Sequence, residues 1–149
     1  MNVGVGTIQY DPYRGTMKKR TSWWAVMNVD GGEEIVKYYR WWLNREVVNP
    51  FNMINYNLKP QSWSPHVSII RGEKPFDDKI HLWGKYQGEK IEFEYDNFDN
   101  FKIGTNNKGD APGKFFLVDI HCPLLIQIRK EFGFKCDWKM HMTFGRTYE

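Results

Sequence analysis

The pattern histidine, apolar, hydroxyl, apolar occurs twice in this chain, as His66-Val67-Ser68-Ile69 and His141-Met142-Thr143-Phe144. Each tetrad falls in a β-prone run and closes a stretch that reads strand, helix, strand. Residues 22–29, 33–46 and 65–71 match residues 115–121, 123–132 and 138–146 in that order, a duplication of elements without an obvious repeat of sequence. A chain of 149 residues built this way has room for one domain. The expectation is α+β, with two antiparallel-rich sheets facing across a cleft and the helices outside. The two lobes run roughly over 1–75 and 76–149.

The individual elements follow from local pattern. Val3 to Gln9 reads as a strand, followed by the turn Asp11-Pro12-Tyr13-Arg14-Gly15 and the basic trio Lys18-Lys19-Arg20. Asp30 is placed to cap a helix whose first turn holds Glu33 and Glu34. Ile35, Val36, Tyr38, Tyr39, Trp42 and Leu43 then form its apolar face. Polar residues 49–64 lead to a strand opened by Pro65. Asp77 to Trp83 reads as a short helix. Lys90 to Asp96 alternates, with Ile91, Phe93 and Tyr95 inward and Glu92 and Glu94 outward. Residues 106–113 are turn-rich. The second helix starts at Pro123, buries Leu124, Leu125, Ile128 and Phe132, and stops at Gly133.

On a strand, alternate side chains share a face, so His66 goes with Ser68 and His141 with Thr143. Val67, Ile69, Met142 and Phe144 are left to anchor the opposite face in the core. An imidazole takes either protonation state near neutral pH. One histidine can therefore accept a proton from water or a ribose 2′-OH while the other donates to a leaving oxygen. The two hydroxyls supply donors for the non-bridging oxygens of a phosphoryl group. Which histidine is the acid stays open. Lys139 shares the face of His141, whereas Arg71 and Arg146 have the wrong parity unless Gly72 or Gly145 marks a bulge.

Composition narrows the ligand classes without choosing one. Aromatic residues make up 17% of the chain, with 7 Trp, 8 Tyr and 10 Phe, more than a core of this size needs. Either packing in the core and on the surface or flat rings facing a ligand would account for the excess; on the second reading Tyr10, Tyr13, Trp63 and Trp83 are candidates for stacking on a base. The formal charge of +3 suits a nucleotide or phosphate and lacks the clustered basicity of a duplex binder, so no stable duplex nucleic-acid partner is expected. The 41% apolar and 26% charged content disfavours disorder and coiled coil. No apolar run is long enough for a membrane helix. Cys122 and Cys136 lack CxxC spacing, and Met1-Asn2-Val3-Gly4 opens no basic-then-apolar leader. The reading is a reduced, cytoplasmic protein.

Paired tetrads in two matched α+β halves resemble the 2H phosphoesterase family, and the likeness spans most of the chain although only the tetrads are specific. The resemblance implies a bilobal fold with a pseudo-twofold axis, metal-independent chemistry with no cofactor, and a cyclic phosphate or oligonucleotide phosphodiester as substrate. Carried over by position, His66 and Ser68 are the first catalytic pair and His141 and Thr143 the second. In compactness and aromatic richness the chain is similar to phage-encoded 2H enzymes that destroy the cyclic oligonucleotide signals of CBASS immunity, which would place it in the host cytoplasm. It departs from them in having Ser68 where they usually show threonine. The same tetrads fit hydrolysis of RNA-end 2′,3′-cyclic phosphates or of ADP-ribose cyclic phosphate. Three other readings are a non-catalytic nucleotide sponge or RNA-binding module, an interaction protein, and a metal hydrolase using His66, His81, His121 and His141. The last has no HxH, HExxH or CxxC spacing behind it.

Overall fold

The computed structural model describes residues 1–12, 21–44, 59–60, 64–106, 113–137 and 139–147. Tyr13, Trp63, the basic trio Lys18-Lys19-Arg20 and the expected last turn of the first helix at 45–46 lie outside the described residues. The elements in order are strands β1 (Asn2–Tyr10) and β2 (Trp24–Val29), helix α1 (Gly32–Trp42), strands β3 (His66–Arg71), β4 (Lys90–Tyr95), β5 (Lys102–Asn106) and β6 (Gly113–His121), helix α2 (Pro123–Phe132) and strand β7 (His141–Arg146). Every ladder is antiparallel. The class is α+β, as expected.

The sheet is continuous, where two separate sheets were expected. In each half three strands pair in the order β1-β2-β3 and β5-β6-β7. The two sets are joined because β4 is used on both edges: it pairs with β1 from Asn2↔Tyr95 to Thr7↔Lys90, and with β6 at Glu94 and Tyr95. β4 and β5 lie one after the other along the same edge of β6, since Tyr95 opposes Ile120 and Lys102 opposes Leu117. β7 takes the other edge, where Ile120 N donates to Met140 O at 3.0 Å. At the far ends of this path, β3 and β7 come side by side without forming a ladder, with Cα atoms within 8 Å.

Local sequence explains most of this. On β4, Phe93 and Tyr95 are buried, Ile91 half-buried, and Glu92 and Glu94 exposed, the alternation of a strand with one face inward. Pro123 starts α2, where its missing N–H costs nothing, and Gly133 ends it at φ 78°, a conformation that favours glycine. Leu125, Ile128 and Phe132 are buried beneath it. In α1, Val36 and Leu43 are buried and Ile35, Tyr39 and Trp42 pack against the core, but Tyr38 is 55% exposed. Two residues on from Val36 is about 200° round a helix, so Tyr38 cannot share that face.

Three further expectations are corrected. Asp30 does not cap α1: Gly31 holds that position in a left-handed conformation, and the Asp30 carboxylate accepts from Thr7 Oγ1 at 3.0 Å and Lys90 Nζ at 2.8 Å. The short helix over 77–83 is a single 3-10 turn at Ile80–Leu82. The final strand begins at His141, with 139–140 outside it, and the expected start at Trp138 lies outside the described residues. β5 had no counterpart in the sequence reading.

The helices cross between halves. α1 packs on β7 and α2 on β3, so each covers the tetrad strand that belongs to the other half. The shared core includes Val67 and Ile69 from one tetrad and Met142 and Phe144 from the other, all at 0–1% exposure.

Candidate active site

The tetrads occupy β3 and β7 in equivalent settings. His66, Ser68, His141 and Thr143 are half-buried, while the apolar members between them are fully buried. Each imidazole is tied through Nδ1 to the carbonyl two residues back, His66 to Ser64 O at 2.8 Å and His141 to Lys139 O at 3.4 Å. A carbonyl only accepts, so in these contacts Nδ1 is the donor and carries the ring proton. The second contact is the longer and weaker.

The register of the two ladders is duplicated residue for residue. On β3, His66, Val67 and Ser68 oppose Asn28, Met27 and Val26; Ile70 and Arg71 then oppose Ala25 and Trp24. On β7, His141, Met142 and Thr143 oppose Asp119, Val118 and Leu117; Gly145 and Arg146 oppose Phe116 and Phe115. Each strand thus carries a bulge whose extra residue is the fourth of the tetrad, Ile69 or Phe144. The sequence reading allowed for a bulge at Gly72 or Gly145; the structure puts both one step inside the tetrads. Because one extra residue reverses the alternation beyond it, Arg71 joins the face of His66 and Ser68, and Arg146 that of His141 and Thr143. Arg71 lies over the Trp24 ring at 5.2 Å and Arg146 over Phe115 at 4.8 Å, the cation and aromatic pairing again at the same register position.

Trp24 is the site residue that sequence reading missed. It is 2% exposed, its Nε1 donates to Ser68 Oγ at 3.1 Å, and its ring meets His66 edge-on at 5.8 Å. With the indole N–H held by the Ser68 oxygen, the serine proton can point elsewhere. The only sequence signal was the Trp23-Trp24 pair in a β-prone run, which does not say which ring faces the tetrad. The equivalent Phe115 has no N–H, so the halves differ here. They differ also opposite the histidines: Asn28 Nδ2 donates to Gln9 Oε1 at 2.8 Å, whereas Asp119 takes Lys102 Nζ, and that bond raises the Lys102 ammonium above its ordinary value.

The other candidates are more dispersed. Tyr10 belongs to the core: it is 7% exposed and edges against Trp83 at 5.0 Å, and burial pushes its phenol up to about 12. It offers no open face for stacking. Trp83 is half-buried between Tyr10, Trp23 and Phe132, with Nε1 donating to Asp11 Oδ2 at 2.9 Å. Lys139 is exposed just before β7. His81 is exposed on its 3-10 turn, and His121, at the end of β6, contacts Asp96 Oδ1 at 2.7 Å. Among the described residues no three His, Cys, Asp or Glu side chains gather in a group that could hold a metal. Cys122 and Cys136 are free thiols, and no described helix is long and apolar enough to cross a membrane.

Comparison with protein-family models, with curated proteins and with solved structures returns no match to this chain.

Proposed function

We propose that the chain is a two-histidine phosphodiesterase with a bilobal, pseudo-twofold fold of the 2H phosphoesterase type, acting on the 3′-5′ phosphodiester of cyclic oligonucleotides without a metal. The observation that carries this reading is the duplicated bulge: on both tetrad strands it gathers histidine, hydroxyl and arginine on one face. Such a set has the chemistry that phosphoryl transfer requires: a proton acceptor, a proton donor, and hydrogen-bond donors and cations for the developing charge. It is more than a passive binder of nucleotides would use.

In the reaction, Nε2 of one imidazole takes a proton from water or from the neighbouring ribose 2′-OH as that oxygen bonds to phosphorus. Nε2 of the other gives its proton to the departing oxygen as the phosphorus–oxygen bond breaks. Ser68 and Thr143 donate to the non-bridging oxygens, and Arg71, exposed at the end of β3, balances their charge, while Arg146, only 3% exposed, adds positive potential from beneath the surface. Hydrolysis of a 2′,3′-cyclic phosphate or an ADP-ribose cyclic phosphate uses the same groups. A panel of cyclic di- and trinucleotides, 2′,3′-cyclic mononucleotides and ADP-ribose cyclic phosphate, incubated with the protein and EDTA, separates them. Mass spectrometry is expected to find linear products from the cyclic oligonucleotides. Recovery of every compound intact would overturn the reading.

A further inference from the structure

We infer that Arg40 and Arg129 are positioning residues for the two tetrads, each carried on the helix of one half and acting on the tetrad strand of the other. The functional part of this rests on the two-histidine reading; the structural part does not. From α1, Arg40 Nη1 donates to the Phe144 carbonyl at 3.2 Å. From α2, Arg129 Nη1 donates to the Ile69 carbonyl at 2.9 Å. The two acceptors are the fourth residues of the two tetrads and the extra residues of the two bulges.

This coincidence has a physical reason. A bulge takes its extra residue out of the ladder, and a carbonyl in the interior still requires a donor. Ile69 and Phe144 are at most 1% exposed. In both strands a guanidinium from the crossing helix fills that requirement, and so favours the bulged register over the regular one. The register decides the site. A slip of one residue sends the side chains beyond it to the opposite face, which would withdraw Arg71 or Arg146 from the histidine and hydroxyl.

The two arginines are anchored differently. Arg129 is 1% exposed; it also donates from Nε to Lys135 O at 2.8 Å and makes two bonds to Glu73, at 2.7 and 2.9 Å. Its loss would compromise the fold. Arg40 is half-buried with a longer bond, so it is the one whose removal reports on positioning.

The test uses the full chain with Arg40→Gln and Arg40→Lys. In amide NMR spectra without substrate, Arg40→Gln is expected to move the Gly145 and Arg146 signals, which follow the Phe144 carbonyl, and to leave Ile70 and Arg71 in place. With the substrate found by the panel, kcat is expected to fall about tenfold, the value of one charge-assisted bond, with KM within about twofold. Arg40→Lys, which restores a donor, should recover most of the loss. A merely structural role would give neither the confinement to one strand nor the rescue. Unmoved Gly145 and Arg146 signals, or unchanged kcat, would overturn the inference. Should Arg40→Gln not fold, the spectrum is read on Arg40→Lys, where a smaller movement of Gly145 is expected and none would overturn it. Because the spectra need no substrate, a chain that turns over nothing yet shows the shift refutes the reaction and supports the arginine's placement. An active chain without the shift does the reverse.

Discussion

Replacing Glu73 by glutamine tests the anchoring of Arg129. The pair is Nη1 to Oε1 at 2.7 Å and Nη2 to Oε2 at 2.9 Å, with side-chain exposures of 2% for the arginine and 31% for the glutamate. Stranding a fully buried charge costs about 3–5 kcal/mol. Glutamine keeps one acceptor oxygen, Arg129 keeps the carbonyls of Ile69 and Lys135, and the site is partly open to water, so the expected loss is about 2 kcal/mol. For a chain of this length that is a fall in Tm of about 4–8 °C. The dependence on pH has a definite sign. The hydrogen bond from Arg129 holds the Glu73 carboxyl below its ordinary value. Its contribution is therefore complete above the unfolded-state pKa, about 4.3, and disappears as pH falls through the lower folded-state value. Urea unfolding followed by tryptophan fluorescence, at pH 7 and again at the lowest pH where both proteins stay folded, reads the gap between them. It should be about 2 kcal/mol at pH 7 and smaller in acid. A gap under about 0.5 kcal/mol at pH 7, typical of a surface pair, or one that does not change with pH, would refute the reasoning.

Alanine at His66 or at His141 is expected to lower turnover by at least about a hundredfold with the circular dichroism spectrum retained; near-normal activity in either variant would remove the histidines from the mechanism. Since one imidazole must be neutral and the other charged, turnover under chemistry-limited conditions should give a bell-shaped pH profile, and a flat one from about pH 5 to 9 would count against paired acid–base action. Trp24→Phe gives the first half the ring that Phe115 supplies in the second and removes the hydrogen bond to Ser68. Kinetics should show turnover about fivefold lower, near the value of one neutral hydrogen bond. Unchanged kcat would mean that Trp24 only packs.

Features written within a few consecutive residues were legible in the sequence. Pro123 and Gly133 delimit α2 where the structure has it, the alternation over 90–96 is β4, and both tetrads lie on strands with their polar members on one side. What escaped was decided between elements. A bulge is a relation of two strands, so no reading of β3 or β7 alone could place it at Ile69 or Phe144. Arg40 and Arg129 look like ordinary cations in the last turns of their helices, and their acceptors lie 104 and 60 residues away in the chain. Asp30 had a capping residue's composition, but Lys90 and Thr7 offered its carboxylate stronger partners. Tyr10 was an aromatic beside a turn, and only the packing of Trp83 against it shows that its ring is enclosed.

The exchange of helices between halves also governs how the polypeptide reaches its native state. Each helix packs chiefly on the tetrad strand of the other half, so the lid for β7 is made early in the chain and the lid for β3 late. Contacts so distant in sequence exact their loop-closure entropy before they return any burial. Folding should therefore be slow for the size of the chain and concerted, with no stable half-folded species along the way.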